Sequence, residues 1–233
     1  MATYVLIPGF WLGAWAWRPV TAELRSLGHD VHPLSLTGMG ERAHLARPDT
    51  DVETHVTDVQ ELIRYEELHD VVLVGHSYAG SVVIPSVADR LPDRISRLVF
   101  VDSGPLPDGM SQLEFLPPEQ QARNAELVGN GWQLPPPSWS ELPGAERLER
   151  LSVPQPWATA TTPVRLTGAW EKLPRLHVLC SFPAAQARAM AATVPAFQHM
   201  ANDDWDYREL LGGSHWPMFD RPGELAAILH ELS

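Results

Sequence analysis

Residues 71–80 read VVLVGHSYAG, and this stretch decides the fold. The apolar run at 71–74 is typical of a strand that is covered on both faces of a parallel sheet. The small and apolar residues from 79 to 91 predict a helix directly after it, with a kink at Pro85. Ser77 stands in the sharp turn between the two, where the backbone pushes the hydroxyl group out of the bend. Ser77 is therefore the candidate nucleophile, and the competing interpretation is that it only caps the following helix.

Strand and helix patterns alternate along most of the chain. Apolar runs predict strands at residues 3–7, 30–36, 71–74, 97–101, 176–180 and 207–211. Apolar residues at helical spacing lie between them, with Asp51 as a predicted N-cap and Gly28 as a predicted C′ residue. This alternation predicts the α/β class, with a mostly parallel, doubly wound sheet that carries helices on both faces.

Residues 103–174 interrupt the alternation. The stretch is rich in proline, is weak in strand pattern and holds four of the nine tryptophans. We expect one domain over residues 1–233, with a core at 1–102 and 175–233 and a lid insertion at approximately 103–174. Disorder is the alternative interpretation, which so many tryptophans disfavour.

Composition excludes several classes of function. The 233 residues include 29 acidic and 17 basic side chains, for a net charge of −12, so no basic face for nucleic acid or an anionic membrane is expected. No apolar run approaches the length of a membrane span. One cysteine, no leader pattern at the first residues and no metal or nucleotide motif predict a cytoplasmic protein without cofactor or metal.

A serine nucleophile requires a base and an oxyanion hole. Of the ten histidines, His215 in the segment GGSHWPMF follows the last predicted strand and precedes the closing helix, so it is the candidate base. The backbone N–H groups of Phe10 and Tyr78 are the candidate oxyanion donors. Three residues that adjoin these candidates in the sequence are expected to line the substrate pocket: Trp11, His76 and Trp216. The other histidines, His55 and His177 among them, are interpreted as surface or structural residues.

Four segments in this order, LIPGFWLGAWAW, LTGMGERAHL, VVLVGHSYAG and GSHWPMF, resemble a known family. It is the α/β-hydrolase branch that holds plant methylesterases, hydroxynitrile lyases and related bacterial carboxylesterases. The resemblance covers nearly the whole chain outside the predicted lid. It implies an α/β-hydrolase fold and a Ser–acid–His triad in that chain order.

The chain departs from that family at two places. The first oxyanion segment begins Pro8-Gly9 instead of His-Gly, which removes a side chain but leaves the later N–H group. The segment after the penultimate strand, where the family has an acid in a Cys-Thr-x-Asp pattern, reads CSFP at 180–183. Some related hydrolases carry the acid at the end of the strand after the nucleophile helix, and Asp102 stands at that place. The alternatives are Asp203, Asp204 and Asp206, or a Ser–His pair assisted by water.

These residues predict a serine hydrolase that cleaves a carboxylic ester or lactone of a small, apolar or aromatic substrate through an acyl-enzyme. A lyase or cyclase that uses Ser77 and His215 as acid–base groups is the alternative. Lys172, the chain's one lysine, lies in the predicted lid, which disfavours a hydroxynitrile lyase. A binding protein without catalytic activity is a third interpretation. The sequence leaves homodimer formation open.

Overall fold

The predicted strands form one parallel sheet. The structure is a computed structural model that describes residues 1–194, 197–198 and 205–232. Within those residues the main sheet has six strands in the order β2-β1-β3-β4-β7-β8, and every neighbouring pair is parallel. Its strands are β1 (Thr3–Ile7), β2 (Asp30–Pro33), β3 (Val71–His76), β4 (Ile95–Val101), β7 (Arg175–Leu179) and β8 (Trp205–Glu209).

Helices cover both faces of this sheet. Of these, α2 (Val52–Tyr65), α3 (Ile84–Arg90) and α8 (Ala184–Thr193) pack on one face, and α1 (Arg18–Ser26) and α10 (Pro222–His230) pack on the other. The other α-helices of the described residues are α4 (Gln112–Phe115), α5 (Pro118–Val128), α6 (Ala145–Leu151), α7 (Ala158–Thr161) and α9 (Pro217–Asp220). Alternate residues of a strand point to opposite faces. Val5 and Ile7 of β1 accordingly join the apolar core under α2, α3 and α8, whereas Tyr4 and Leu6 join the core under α1 and α10. The predicted α/β class with a doubly wound, mostly parallel sheet is confirmed.

The helix predicted over residues 79–91 is divided at its proline. A π-helical turn at Ala79–Val83 precedes α3, and Pro85 lies in the first turn of α3. Because proline lacks an N–H group, the carbonyl oxygen of Ser81, four residues earlier, has no helical donor. Leu106 from the segment after β4 donates its backbone N–H group to that oxygen at 3.0 Å. The start of the insertion is thereby fixed to the helix that follows Ser77.

The insertion between β4 and β7 consists of short elements. It contains α4 to α7 and a two-stranded antiparallel sheet of β5 (Gln133–Leu134) and β6 (Gln155–Pro156). Several hydrogen bonds join it to the rest of the fold, and two of them show how. Val153 donates its N–H group to the Trp11 carbonyl oxygen at 3.0 Å, and Thr167 donates its N–H group to Asp89 Oδ2 at 2.6 Å.

Two glycines provide a matched test of backbone conformation. Gly28 follows α1 with φ +84°, and the N–H groups of Gly28 and His29 donate to Arg25 and Leu24, so the helix ends in a Schellman motif. Nothing lies within 4 Å of a Cβ added at Gly28 or at Gly223, but only Gly28 has positive φ. We expect Gly28→Ala to lower the free energy of unfolding by about 1 kcal/mol and Gly223→Ala, in α10, to raise it by about 0.5 kcal/mol. Urea denaturation measures both, and equal effects would contradict the assignment.

Candidate active site

Ser77 lies in a strained turn at the carboxyl end of β3. Its φ is +51°, a left-handed conformation that non-glycine residues adopt at a cost of about 1–3 kcal/mol. Its N–H group donates to the Val101 carbonyl oxygen at 3.2 Å. Its own carbonyl oxygen accepts from the Ser81 N–H group at 2.9 Å and from the Ser103 hydroxyl at 2.6 Å. These bonds hold the turn against relaxation.

Three glycines permit the close approach of chain segments around this turn. A Cβ on Gly75 would lie 2.7 Å from Gly80 N, and a Cβ on Gly80 would lie 2.6 Å from Ser103 Oγ. A Cβ on Gly9 would lie 2.9 Å from the Cβ of Ser77. The loop after β1 therefore runs directly against the candidate nucleophile, and Phe10 is the next residue of that loop.

Asp102 follows β4 with φ +44° and has a carboxylate with four donors. Oδ1 accepts from the N–H groups of Cys180 and Ser181 at 2.9 and 2.8 Å. Oδ2 lies 2.5 Å from the Ser181 hydroxyl and 2.5 Å from His215 Nδ1. The structure thus brings Asp102 and His215 together. Ser181 supplies two of these donors and is not among the site residues predicted from the sequence. Its position directly after a predicted parallel strand, at the same edge of the sheet as Asp102, was the one sequence feature that indicated a role in the site.

The environment of Asp102 stabilises its ionised form. Burial alone would raise the pKa of a carboxyl group that is 4% exposed. The hydrogen bonds from His215 and Ser181 outweigh burial, and they hold the pKa of Asp102 well below its ordinary value. Asp102 is therefore a carboxylate over the whole neutral range and is able to orient an imidazole.

Among the alternative candidate acids, Asp206 is the one that lies within the described residues. Asp206 lies on β8, its side chain is 65% exposed, and it pairs with Arg97 at 3.3 Å. Asp203 and Asp204 lie outside the described residues.

The loop before α9 presents His215. The Ser214 N–H group donates to Asp220 Oδ2 at 2.5 Å, and the Trp216 N–H group donates to Ser214 Oγ at 3.1 Å. His76 supports the loop from below, because its Nε2 donates to the His215 carbonyl oxygen at 2.8 Å. The centroids of the two imidazole rings are 4.7 Å apart.

A cavity of about 300 Å³ opens beside these residues. Ser77, Asp102 and His215 all line it. Four apolar side chains also line the cavity: Phe115, Leu116, Phe182 and Phe197. The remaining lining residues are small or polar, and none of them was predicted from the sequence as a pocket residue: Ser81, Ser103, Gly104, Gln112, His177 and Ser181.

The three candidate pocket residues lie outside the lining of this cavity. Each of them packs against other parts of the protein instead. His76 is 1% exposed beneath the His215 loop. Trp216 packs its ring on Trp139 of the insertion at 5.1 Å between centroids. Trp11 also contacts Trp139, and its N–H group donates to Gln155 Oε1 at 3.1 Å.

The two candidate oxyanion residues touch one another. The ring centroids of Phe10 and Tyr78 are 4.5 Å apart. Tyr78 is 1% exposed and belongs to the apolar core, against which the partly buried Phe10 packs.

Within the described residues, no cluster of three or more His, Cys, Asp or Glu side chains has an arrangement that would hold a metal ion. Over the same part of the chain, no helix has both the length and the apolar character needed to cross a membrane.

Known proteins resemble the chain over its full length. The sequence model of the alpha/beta hydrolase family matches residues 4–228. The carbendazim hydrolyzing esterase of Nocardioides sp. (strain SG-4G) is 39% identical over 248 residues, with 100% of both chains covered. Methyl jasmonate esterase 1 of Vitis vinifera is 27% identical over 254 residues, which cover 98% of this chain and 95% of the relative.

A solved structure shares the fold. It is an extracellular alpha/beta-hydrolase from a Paenibacillus species, described as sharing structural and functional homology with tobacco salicylic acid binding protein 2. Its TM-score to this chain is 0.83 at 23% identity, with 99% of this chain and 98% of that chain covered.

Buried histidines predict how stability depends on pH. Burial lowers the pKa of His55 and of His177 from 6.5 to about 4. Between pH 6.5 and pH 4 each of these histidines binds more protons in the unfolded chain than in the folded one. The stability that comes from keeping them neutral is therefore fully present above pH 6.5 and is lost as the pH falls toward 4. We expect the free energy of unfolding to fall by up to about 1.4 kcal/mol per pH unit for each histidine.

Urea denaturation between pH 6.5 and 4.5 measures this slope in the wild type and in His177→Phe. The carboxylates titrate in both proteins, so the difference between the slopes isolates His177. Identical slopes would contradict the expectation.

Proposed function

Because the chain belongs to the α/β hydrolase family and is a carboxylic ester hydrolase, we propose that Ser77, His215 and Asp102 form its catalytic triad. The hydrogen bond of 2.5 Å between His215 Nδ1 and Asp102 Oδ2, beside a cavity that Ser77 also lines, carries this proposal. The resemblance to the branch of plant methylesterases and bacterial carboxylesterases is confirmed by the relatives.

The proposed reaction proceeds through an acyl-enzyme. Nδ1 of His215 is hydrogen-bonded to Asp102, so Nε2 is the ring nitrogen that accepts the proton of the Ser77 hydroxyl. Ser77 Oγ attacks the ester carbonyl carbon as it loses that proton. The C–O bond of the tetrahedral intermediate then breaks, and the imidazolium returns the proton to the leaving alcohol. Ionised Asp102 stabilises that imidazolium. A water molecule, deprotonated by the same Nε2, then attacks the acyl carbonyl carbon. The bond from that carbon to Ser77 Oγ breaks, the imidazolium returns the proton to Oγ, and the carboxylic acid is released.

The oxyanion of both tetrahedral intermediates requires two donors aimed at one point. We assign them to the backbone N–H groups of Phe10 and Tyr78. Tyr78 follows the nucleophile directly, and the close contact of Gly9 with Ser77 supports the position of Phe10.

The proposed substrate is a small carboxylic ester or lactone with an apolar or aromatic group. A cavity of about 300 Å³ that is lined by Phe115, Phe182 and Phe197 suits such a group. The names of the two relatives, which act on carbendazim and methyl jasmonate, suggest the first compounds to test. We further propose that residues 103–174 act as the lid of the site, because Gln112 and Phe115 of α4 contribute to the cavity wall.

The alternative lyase or cyclase is not favoured, because the relatives are esterases. Lys172, on which hydroxynitrile lyase chemistry would depend, is exposed and lies outside the cavity lining. A cytoplasmic location and the lack of a nucleic-acid partner stay predictions from the sequence, which leaves homodimer formation open.

A fluorophosphonate probe tests the nucleophile. We expect one adduct per chain, mapped to Ser77 by peptide mass spectrometry, because an activated serine attacks phosphorus as it attacks a carbonyl carbon. His215→Ala should lose the adduct while it keeps its circular dichroism spectrum and melting temperature. A labelled residue other than Ser77 would refute the assignment.

Replacement of the acid tests the triad. We expect Asp102→Asn to lower kcat for p-nitrophenyl butyrate by about 10³-fold or more, because the amide no longer stabilises the imidazolium. Asp206→Asn is the matched control, since it removes an exposed carboxylate, and it should retain wild-type turnover. Asp204→Asn tests one of the alternative candidates for the acid in the same way. Wild-type turnover in a folded Asp102→Asn protein would exclude Asp102 as the acid.

A further inference from the structure

The hydroxyl group of Tyr78 begins a buried chain of hydrogen bonds. Tyr78 Oη lies 3.0 Å from His55 Nδ1, and His55 Nε2 lies 2.9 Å from the carbonyl oxygen of Thr37. Tyr78 is 1% exposed and His55 is 0% exposed. Burial lowers the pKa of His55 to about 4, so its ring is neutral at pH 7.

The partners of His55 fix its tautomer. A carbonyl oxygen only accepts, so Nε2 carries the hydrogen and donates it to Thr37. In a neutral ring Nδ1 is then an acceptor, and the Tyr78 hydroxyl donates to it. This hydroxyl therefore has one preferred direction, toward His55.

The chain continues from Thr37 to an ion pair. The Thr37 N–H group donates to Asp58 Oδ2 at 2.6 Å, and the Thr37 hydroxyl donates to Asp58 Oδ1 at 2.8 Å. Arg42 binds the same carboxylate at 2.8 Å. His55 and Asp58 both lie on α2. The helix therefore carries the acceptor of the Tyr78 hydroxyl, which is His55, and also binds the loop after β2 through Thr37.

Tyr78 in turn contacts the other proposed oxyanion residue. Its ring packs on that of Phe10, with 4.5 Å between centroids. Ser77, before Tyr78, has φ +51°, and Trp11, after Phe10, has φ +66°. Both conformations are strained, so the adjacent peptide groups need external contacts to hold their orientation.

We propose that His55 is a positioning residue for the oxyanion hole. It holds the Tyr78 ring by its hydroxyl and, through that ring, the side chain of Phe10, so that two backbone N–H groups point at one oxygen atom. The proposal rests on the proposed function. His55 acts only through Tyr78, and it is absent from the lining of the cavity that holds Ser77.

The first test is Tyr78→Phe, which removes the hydroxyl and keeps the ring. We expect kcat for p-nitrophenyl butyrate to fall about 10-fold, with KM within about twofold, because displaced donors weaken binding of the transition state more than of the substrate. The affinity for phenylboronic acid, whose tetrahedral adduct with Ser77 resembles the intermediate, should fall by the same factor as kcat.

Tyr4→Phe is the matched control. Tyr4 is 0% exposed, and its hydroxyl donates to the Leu229 carbonyl oxygen at 2.6 Å, beneath α10 on the other face of the sheet. It loses a buried hydrogen bond as Tyr78→Phe does, so the two melting temperatures should fall alike. Its kcat and its phenylboronic acid affinity should equal those of the wild type.

Two variants of His55 complete the test. His55→Gln keeps a side-chain acceptor for Tyr78 and a donor for Thr37, and it should retain most of the wild-type kcat. His55→Leu keeps neither and should match Tyr78→Phe. The proposal is overturned if Tyr78→Phe and His55→Leu keep wild-type kcat and boronate affinity, or if His55→Gln loses as much as His55→Leu.

The same series separates this proposal from the proposed function. If the wild type neither hydrolyses the ester nor labels at Ser77, the proposed function fails, and the role of His55 fails with it. If the wild type does both and the variants behave as Tyr4→Phe does, only the positioning role is wrong.

Discussion

The carboxylate of Asp102 joins parts of the chain that are far apart in sequence. It accepts from Ser181 after β7 and from His215 before α9, and the backbone N–H group of Asp102 donates to the Val178 carbonyl oxygen at 2.8 Å. A buried carboxylate is costly unless donors surround it. These donors are present only when β4 and β7 are neighbours and end at the same edge of the sheet. The order of the strands and the ionisation of Asp102 therefore depend on one another.

The proposed acid and its hydrogen-bond donors lie at opposite strand ends from those that the resemblance implies. In that branch the acid lies in the segment after the penultimate strand, whereas here this segment contributes the N–H groups of Cys180 and Ser181 and one hydroxyl. Because the strands are parallel and adjacent, either strand end reaches the same imidazole. A carboxylate at one end and donors at the other provide an equivalent electrostatic arrangement.

The strands of the sheet were predictable from local sequence patterns, because strand periodicity involves residues that are neighbours in the chain. A strand-to-helix turn likewise indicated Ser77 as the candidate nucleophile, whereas Asp102 became a candidate acid through the resemblance to related hydrolases. Contacts between distant segments were not predictable in this way. His55 is 23 residues from Tyr78, and nothing in either local pattern indicates that they meet. Trp216, a candidate pocket residue, packs on Trp139, and the proline-rich segment that holds Trp139 has no periodicity that would indicate this contact.

The carboxylate follows β4 and its backbone donors follow β7, and this separation affects which substitutions the site tolerates. The charge that the proposed reaction requires is on Asp102, while the loop after β7 holds it largely through backbone N–H groups, which every residue except proline possesses. Phe182 in that loop also forms part of the cavity wall. Mutation there is therefore free to reshape the pocket without moving the acid. A library that randomises position 182 and keeps Asp102 and Ser181 constant would explore new substrates while the charge remains in place.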